Sequence, residues 1–179
     1  MKKNKMLLLT ATALFIALIT VGTAVIQIPV GNGYAHFGDS MIYLASCLLP
    51  GPCAIFAASA GAVIADLITG FAVYAPATAI IKALNALPFV LMRIYLKRKK
   101  KDDRILTWQI SLMLVPTTLV TIFGYFIAEY IMFGQEFAVL SAVSGNWLQA
   151  CGSLLIFLIL AGALDKIKFK KKVITQFVN

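Results

Sequence analysis

Apolar residues run through this chain in long, nearly unbroken blocks. They show neither the every-second-residue alternation of a half-buried strand nor the narrow apolar stripe of a surface helix. The first block, residues 6–26, follows Met-Lys-Lys-Asn-Lys. At about 20 apolar residues it exceeds a signal-peptide core of about 7 to 15 and predicts a membrane span. Pro29, Gly31 and Gly33 then break regular structure in an external loop that reaches Asp39. Residues 40–49 and 53–70 flank Pro50-Gly51-Pro52 and read as a helical hairpin. Residues 76–95, 106–133 and 138–164 supply three further spans. Pro76 suits the first turn of its helix, Pro88 marks a candidate kink, and Gly134-Gln135-Glu136 forms a short turn between the last two spans. No span repeats another, so an inverted-repeat carrier gains no support.

Charge orients these spans. Lys2, Lys3 and Lys5, the block from Arg93 to Arg104, and Lys166, Lys168 and Lys170 to Lys172 hold 15 of the 16 positive charges. A formal net charge of +9 would suit a nucleic-acid surface, but this placement follows the positive-inside rule instead. A single crossing over residues 40–70 would carry the basic loop, residues 97–104, outside, whereas a hairpin at Pro50 keeps it in the cytoplasm. With 61% hydrophobic and 13% charged residues and a mean hydropathy of +0.91, a soluble domain, which carries about 25% charged residues, is excluded. The prediction is an all-α integral membrane protein of the cell membrane. It forms a single membrane domain over residues 1–179, with six transmembrane helices, both termini cytoplasmic and no nucleic-acid partner.

The helical rise of about 1.5 Å per residue places the polar residues by depth. Lys82 lies roughly 9 Å below the outer end of its span, with Asn85 on the same face. Glu129 lies roughly 6 Å below the outer end of the next, with Tyr125 one turn deeper. Asn146 and Gln149 begin roughly 12 Å below the outer end of the last, and Asp66 is at similar depth. Four helices thus contribute to one outer-leaflet slab. Ionisable groups at membrane depth mark a functional site by default. One reading is an outward-facing pocket for a small polar molecule, with charge from Lys82 and Glu129, fixed hydrogen bonds from Asn85, Asn146 and Gln149, and aromatic faces from Tyr74, Tyr125 and Trp147. The other is a structural ion pair of Lys82 with Asp66 or Glu129. His36, in the external loop, either contacts a ligand or caps the next helix together with Asp39.

Ala13-x-x-x-Ala17 in the first span, and the stripes Ala54/Ala58/Ala62 and Ala57/Gly61/Ala65 in the third, allow close helix approach in lipid, within the bundle or against a partner. The chain has no P-loop and no Gly-x-Ser-x-Gly element, and its one histidine leaves Ser59 and Ser144 without an intramembrane base. An enzyme is therefore a poor reading, and no cofactor or metal is expected. Cys47, Cys53 and Cys151 form no Cys-x-x-Cys pair and read as small core or lipid-facing residues.

Residues 33–87 carry His-x-Gly-Asp, the proline turn, Ala-Asp-Leu before a glycine, and Tyr-Ala-Pro-x-Thr-x-Ile-Ile-Lys. Together with the six-helix pattern, they resemble the substrate-binding S components of energy-coupling factor (ECF) vitamin transporters, in the branch with riboflavin-, hydroxymethylpyrimidine- and pyridoxine-type members. The resemblance implies a substrate-binding subunit for ATP-driven uptake, with the loop after the first span gating an external pocket. It also implies that Ala13 and Ala17 dock on a transmembrane coupling subunit carrying two cytoplasmic ATPases, and that the S component topples in the membrane to deliver its ligand. Lys82 and Glu129 suit a compact pyrimidine or pyridine, with riboflavin, a queuosine precursor or another micronutrient as the alternatives. The alternative from another class is a stand-alone proton-coupled carrier using Glu129 or Asp66.

Overall fold

Each apolar block forms helix in the computed structural model, which describes residues 2–30 and 33–172. Helix α1 (Lys2–Ala24) leads into a two-stranded antiparallel hairpin, β1 (Gln27–Val30) and β2 (Gly33–His36). Then follow α2 (Gly38–Leu48), α3 (Gly51–Ile68), a 3₁₀ turn (Ala72–Tyr74), α4 (Ala75–Arg98), α5 (Trp108–Leu112), α6 (Leu114–Phe133), α7 (Gln135–Ser141), a π-helical turn (Ala142–Asn146) and α8 (Trp147–Lys166). Among the described residues, five stretches are long and apolar enough to cross a bilayer: Asn4–Ala24, Gly51–Ile68, Ala72–Arg98, Trp108–Phe133 and Trp147–Lys166.

Helix α2 is the exception, and its sequence explains why. Its 11 residues fall short of the roughly 20 that a crossing needs, yet all of them except Met41 are buried. α1, α3, α4 and α8 pack around it, so lipid never meets its backbone ends, where irregular backbone would be costly. Tyr43 of α2 stacks on Phe89 of α4 at 5.0 Å and meets Phe157 of α8 edge-on at 5.7 Å. Phe89 and Phe157 close the triangle at 5.5 Å. Such aromatic pairs add about 0.5–1.5 kcal/mol each beyond their burial. Leu49 is extended and Pro50 N-caps α3, so the proline turn does reverse the chain.

The small residues of α3 pack inward. Ala54, Ala57, Ala58, Ala62 and Ala65 are buried. A Cβ on Gly61 would come within 2.9 Å of the Ile16 carbonyl of α1, and Thr20 donates to the Gly61 carbonyl at 2.9 Å. Ala13 and Ala17, by contrast, lie on an exposed face of α1 beside Leu14, Leu18 and Val21.

Several expectations need correction. The loop after α1 is not wholly irregular: Gln27 pairs with His36 and Val30 with Gly33, since a proline is tolerated on an edge strand. Gly31, one of the predicted breakers, lies outside the described residues. Residues 106–133 divide at Met113 into α5 and α6, and α5 starts where the Thr107 side chain accepts from the Ile110 amide. Residues 138–164 divide into α7, the π turn and α8, and the chain reverses at Gly134, whose φ of 91° favours glycine. α4 remains helical through Pro88.

The basic end is clasped. Arg93 of α4 donates to the carbonyls of Leu49 at 2.8 Å and Ser46 at 3.4 Å, at the end of α2. It also pairs with Asp102 at 3.4 Å, which Lys170 meets from the far side at 2.6 Å. Burial lowers the basicity of Lys170, with Asp102 opposing that effect. Asp165 takes the amides of Ile105 and Leu106 at 2.7 and 2.8 Å. These contacts tie the α2–α3 turn, the α4–α5 loop and the C-terminal segment together.

Candidate functional site

At the end of the bundle opposite this clasp, buried polar side chains converge. Three of the helices build the site from stripes spaced three or four residues apart, which lie on one helix face. α4 offers Thr78, Lys82 and Asn85, α6 offers Thr117, Thr121, Tyr125 and Glu129, and α8, with the π turn before it, offers Asn146, Gln149 and Ser153; all are buried. α2 contributes Asp39 in its first turn.

The centre is a closed ion pair. Lys82 Nζ lies 2.6 Å from Asp39 Oδ1, with side-chain exposures of 1% and 0%. Gln149 Nε2 donates to the other oxygen of Asp39 at 3.0 Å, and the ammonium sits 5.1 Å from the Tyr125 ring centroid. A buried pair persists only when its remaining valences are also satisfied, which the amide and the ring do here. The expected partners of Lys82, Asp66 and Glu129, are therefore corrected to Asp39. The physical reason is that short α2 starts inside the bundle and brings its first-turn carboxylate to the level of Lys82. Asp66 lies beside the Thr78 hydroxyl instead, and the Thr78 and Tyr125 hydroxyls lie 3.2 Å apart.

Glu129 anchors a second cluster. Ser141 donates to it at 2.8 Å and Asn146 Nδ2 at 3.5 Å, and the Tyr74 hydroxyl lies beside it. The Tyr74 ring lies 6.5 Å from that of Tyr125, which links the two clusters, and 5.6 Å from Phe133. Deeper, Asn85 Nδ2 donates to Thr121 at 3.0 Å and the backbone carbonyl of Asn85 accepts from the Thr117 hydroxyl at 3.2 Å.

His36 sits above, at the foot of β2. Its Nδ1 accepts from the Gly38 amide at 3.2 Å, and Ser153 donates to its carbonyl at 3.1 Å. The imidazole thus holds the first amide of α2 from the residue before its N-cap, Phe37, and Asp39 does not act as the acceptor there. Burial pushes the imidazole down to about 4 from its ordinary 6.5; Asp39 opposes the shift and Lys82 adds to it.

Two atoms stand out against this satisfied network. Asn85 Oδ1 and Asp66 Oδ2 are buried and have no hydrogen-bond partner. A buried acceptor left unmatched costs about 1–3 kcal/mol, so each is a place where a donor from a bound molecule would recover energy.

The expected residues Lys82, Asn85, Tyr125, Glu129, Asn146, Gln149, Tyr74 and His36 thus stand at one end of the molecule, the first three and Gln149 around Asp39 and the Thr117–Thr121 pair, the others around Glu129 or above α2. Trp147, offered as an aromatic face, is 56% exposed on the outside: it neighbours Asn146 in sequence, and about 100° of helical rotation turns it away from the residue beside it. The sequence offers Asp39 as a helix cap, through His-x-Gly-Asp, and the structure makes it the partner of Lys82. Thr117 and Thr121 were missed, and extending the Tyr125–Glu129 spacing inward by two turns would have found both. Ser141 carries no sequence signal of this kind, because its approach depends on the break at Gly134. Among the described residues, no group of three histidine, cysteine or carboxylate side chains forms a metal site, and Cys47, Cys53 and Cys151 are free.

A protein-family model described as "ECF-type riboflavin transporter, S component" matches residues 3–166. Neither a curated protein nor a solved structure gives a significant match.

Proposed function

The chain belongs to the family of ECF-type riboflavin transporter S components, and from that membership we propose how it holds its substrate. As a member, it is the substrate-binding subunit of an ECF vitamin transporter, a multi-pass membrane protein that works with an energising module, and the family is not one of enzymes. Our reading places it in the cell membrane with α1, α2, α3, α4, α6 and α8 as six spans. The clasped, basic end and both termini then face the cytoplasm, and the polar cluster faces outward beneath the β-hairpin.

The observation that carries the site assignment is the pair of unpartnered acceptors, Asn85 Oδ1 and Asp66 Oδ2, within an otherwise satisfied cluster. Both ask for a ligand with N–H or O–H donors. Asp39 already neutralises Lys82 at 2.6 Å, so the centre of the site favours an uncharged ring over a carboxylate or phosphate. Tyr74 and Tyr125 supply the stacking faces, and Asn146, Gln149 and Glu129 the rim. A neutral heteroaromatic vitamin with hydroxyl or amino substituents fits these demands, a pyrimidine, pyridine or flavin among them. For coupling, the exposed Ala13–Ala17 face of α1 is our candidate dock for a transmembrane subunit bound to two ATPases.

Equilibrium titration of the purified protein tests the site. Asn85→Ala removes the unmatched acceptor and should weaken binding of the cognate vitamin by about tenfold or more, the loss of one buried hydrogen bond or two. Unchanged affinity would remove Asn85 from the site.

A further inference from the structure

A groove of about 480 Å³ opens between α4 and the α5–α6 pair. Leu84, Pro88, Leu91 and Tyr95 form one wall, and Met113 and Val120 lie on the other. The Tyr95 hydroxyl is the one nitrogen- or oxygen-bearing side-chain group among its lining residues. None of the polar residues of the vitamin site lines it.

Its extent matches one lipid tail. From Leu84 to Tyr95, α4 rises roughly 16 Å, about half of the roughly 30 Å hydrocarbon thickness of a bilayer. Its mouth is charged. Tyr95 is half exposed at that end, and Lys99 Nζ lies 5.9 Å from its ring centroid. Lys97, Arg98, Lys100 and Lys101 are also exposed around the same helix end. Among the described residues no carboxylate pairs with any of these five: Asp102 is taken by Arg93 and Lys170. Trp108 stands 70% exposed at the start of α5, the interfacial position that tryptophan favours.

We propose that this groove is a binding site for one anionic phospholipid of the leaflet at the basic end, an acyl chain lying between α4 and α6 and the phosphate held by Lys99 and Arg98. The apolar walls give the tail a fixed bed in place of bulk lipid. The unpaired cations select the headgroup, as basic clusters at a membrane surface do. The site shares no lining residue with the vitamin site and none with α1. A lipid seated here would fill the seam between α4 and α6, both of which carry residues of the vitamin site.

The full-length protein, purified in detergent with equimolar dioleoylphosphatidylglycerol and dioleoylphosphatidylcholine and no vitamin, is examined by native mass spectrometry. The wild type should retain one phosphatidylglycerol, preferred about tenfold over phosphatidylcholine. Leu91→Trp, which fills the groove, should retain neither lipid, and Met113→Trp does the same from the opposite wall should the first variant fail to fold. Arg98→Gln combined with Lys99→Gln should keep one lipid but lose the preference. A wild type that retains no lipid, or both equally, overturns the proposal, as does retention that survives both groove-filling variants. Vitamin titration of the same preparations reads the other site separately, so failure of either assignment leaves the other standing.

Discussion

Single residues decide the electrostatics of the site. Lys82 and Asp39 are both fully buried, and removing one partner leaves the other as an uncompensated charge, a loss of about 3–5 kcal/mol. Asp39→Asn should therefore lower the thermal stability of the ligand-free protein sharply, and adding Lys82→Met should restore much of it. Equal melting temperatures for wild type and Asp39→Asn would show that the pair is not closed in the membrane protein. His36 makes a pH-dependent contribution. Its pKa falls from 6.5 to about 4 on burial, so the folded state binds fewer protons than the unfolded one between these values. The stabilisation is complete above about pH 6.5 and is lost as pH falls through 4, up to about 3 kcal/mol. Melting curves should thus drop between pH 7 and pH 4.5 for the wild type and drop less for His36→Gln; parallel curves would mean that His36 is not buried neutral.

Helices divide the work between a lipid-facing wall and a polar interior. α3 buries its small-residue stripes against α1 and α4, whereas the Ala13–Ala17 face of α1 stays uncovered although it has the same composition. Composition alone gave the two helices the same signature, and only tertiary packing separates them. Ala13→Leu with Ala17→Leu should leave vitamin binding within about twofold while abolishing uptake by cells that express the energising module, because added side-chain bulk keeps helix backbones apart. Lost binding in that double variant, or normal uptake, would count against the face as a dock. The long helices were legible because a bilayer imposes length and apolarity on any segment that faces it. α2 was readable only through the parity of charged loops, since a helix enclosed by protein obeys no such rule. The division of residues 138–164 into α7, π turn and α8 was only weakly marked: Gly145 lies inside the π turn, but a single glycine in an apolar run does not by itself break a helix.

Over the whole molecule, charge and polarity sit at opposite ends. The Arg93–Asp102–Lys170 clasp closes the basic end, and the aromatic triangle of Tyr43, Phe89 and Phe157 fills the space between it and the polar cluster. That these polar residues share one level of the bundle was readable from helical rise alone, because relative depth needs only residue spacing. Partner choice was not: Lys82 sits one helix away from three carboxylates, and which one it meets depends on where short α2 begins. On our proposal, this end binds an uncharged, donor-bearing heteroaromatic vitamin. The most direct measurement is mass spectrometry of any small molecule retained by the protein purified from membranes, followed by titration of the emptied protein with flavins, pyrimidines and pyridines. One such molecule should be bound one to one, with affinity lost on combining Asn85→Ala and Gln149→Ala. A retained ligand that is anionic, or one whose binding survives that double replacement, would contradict it.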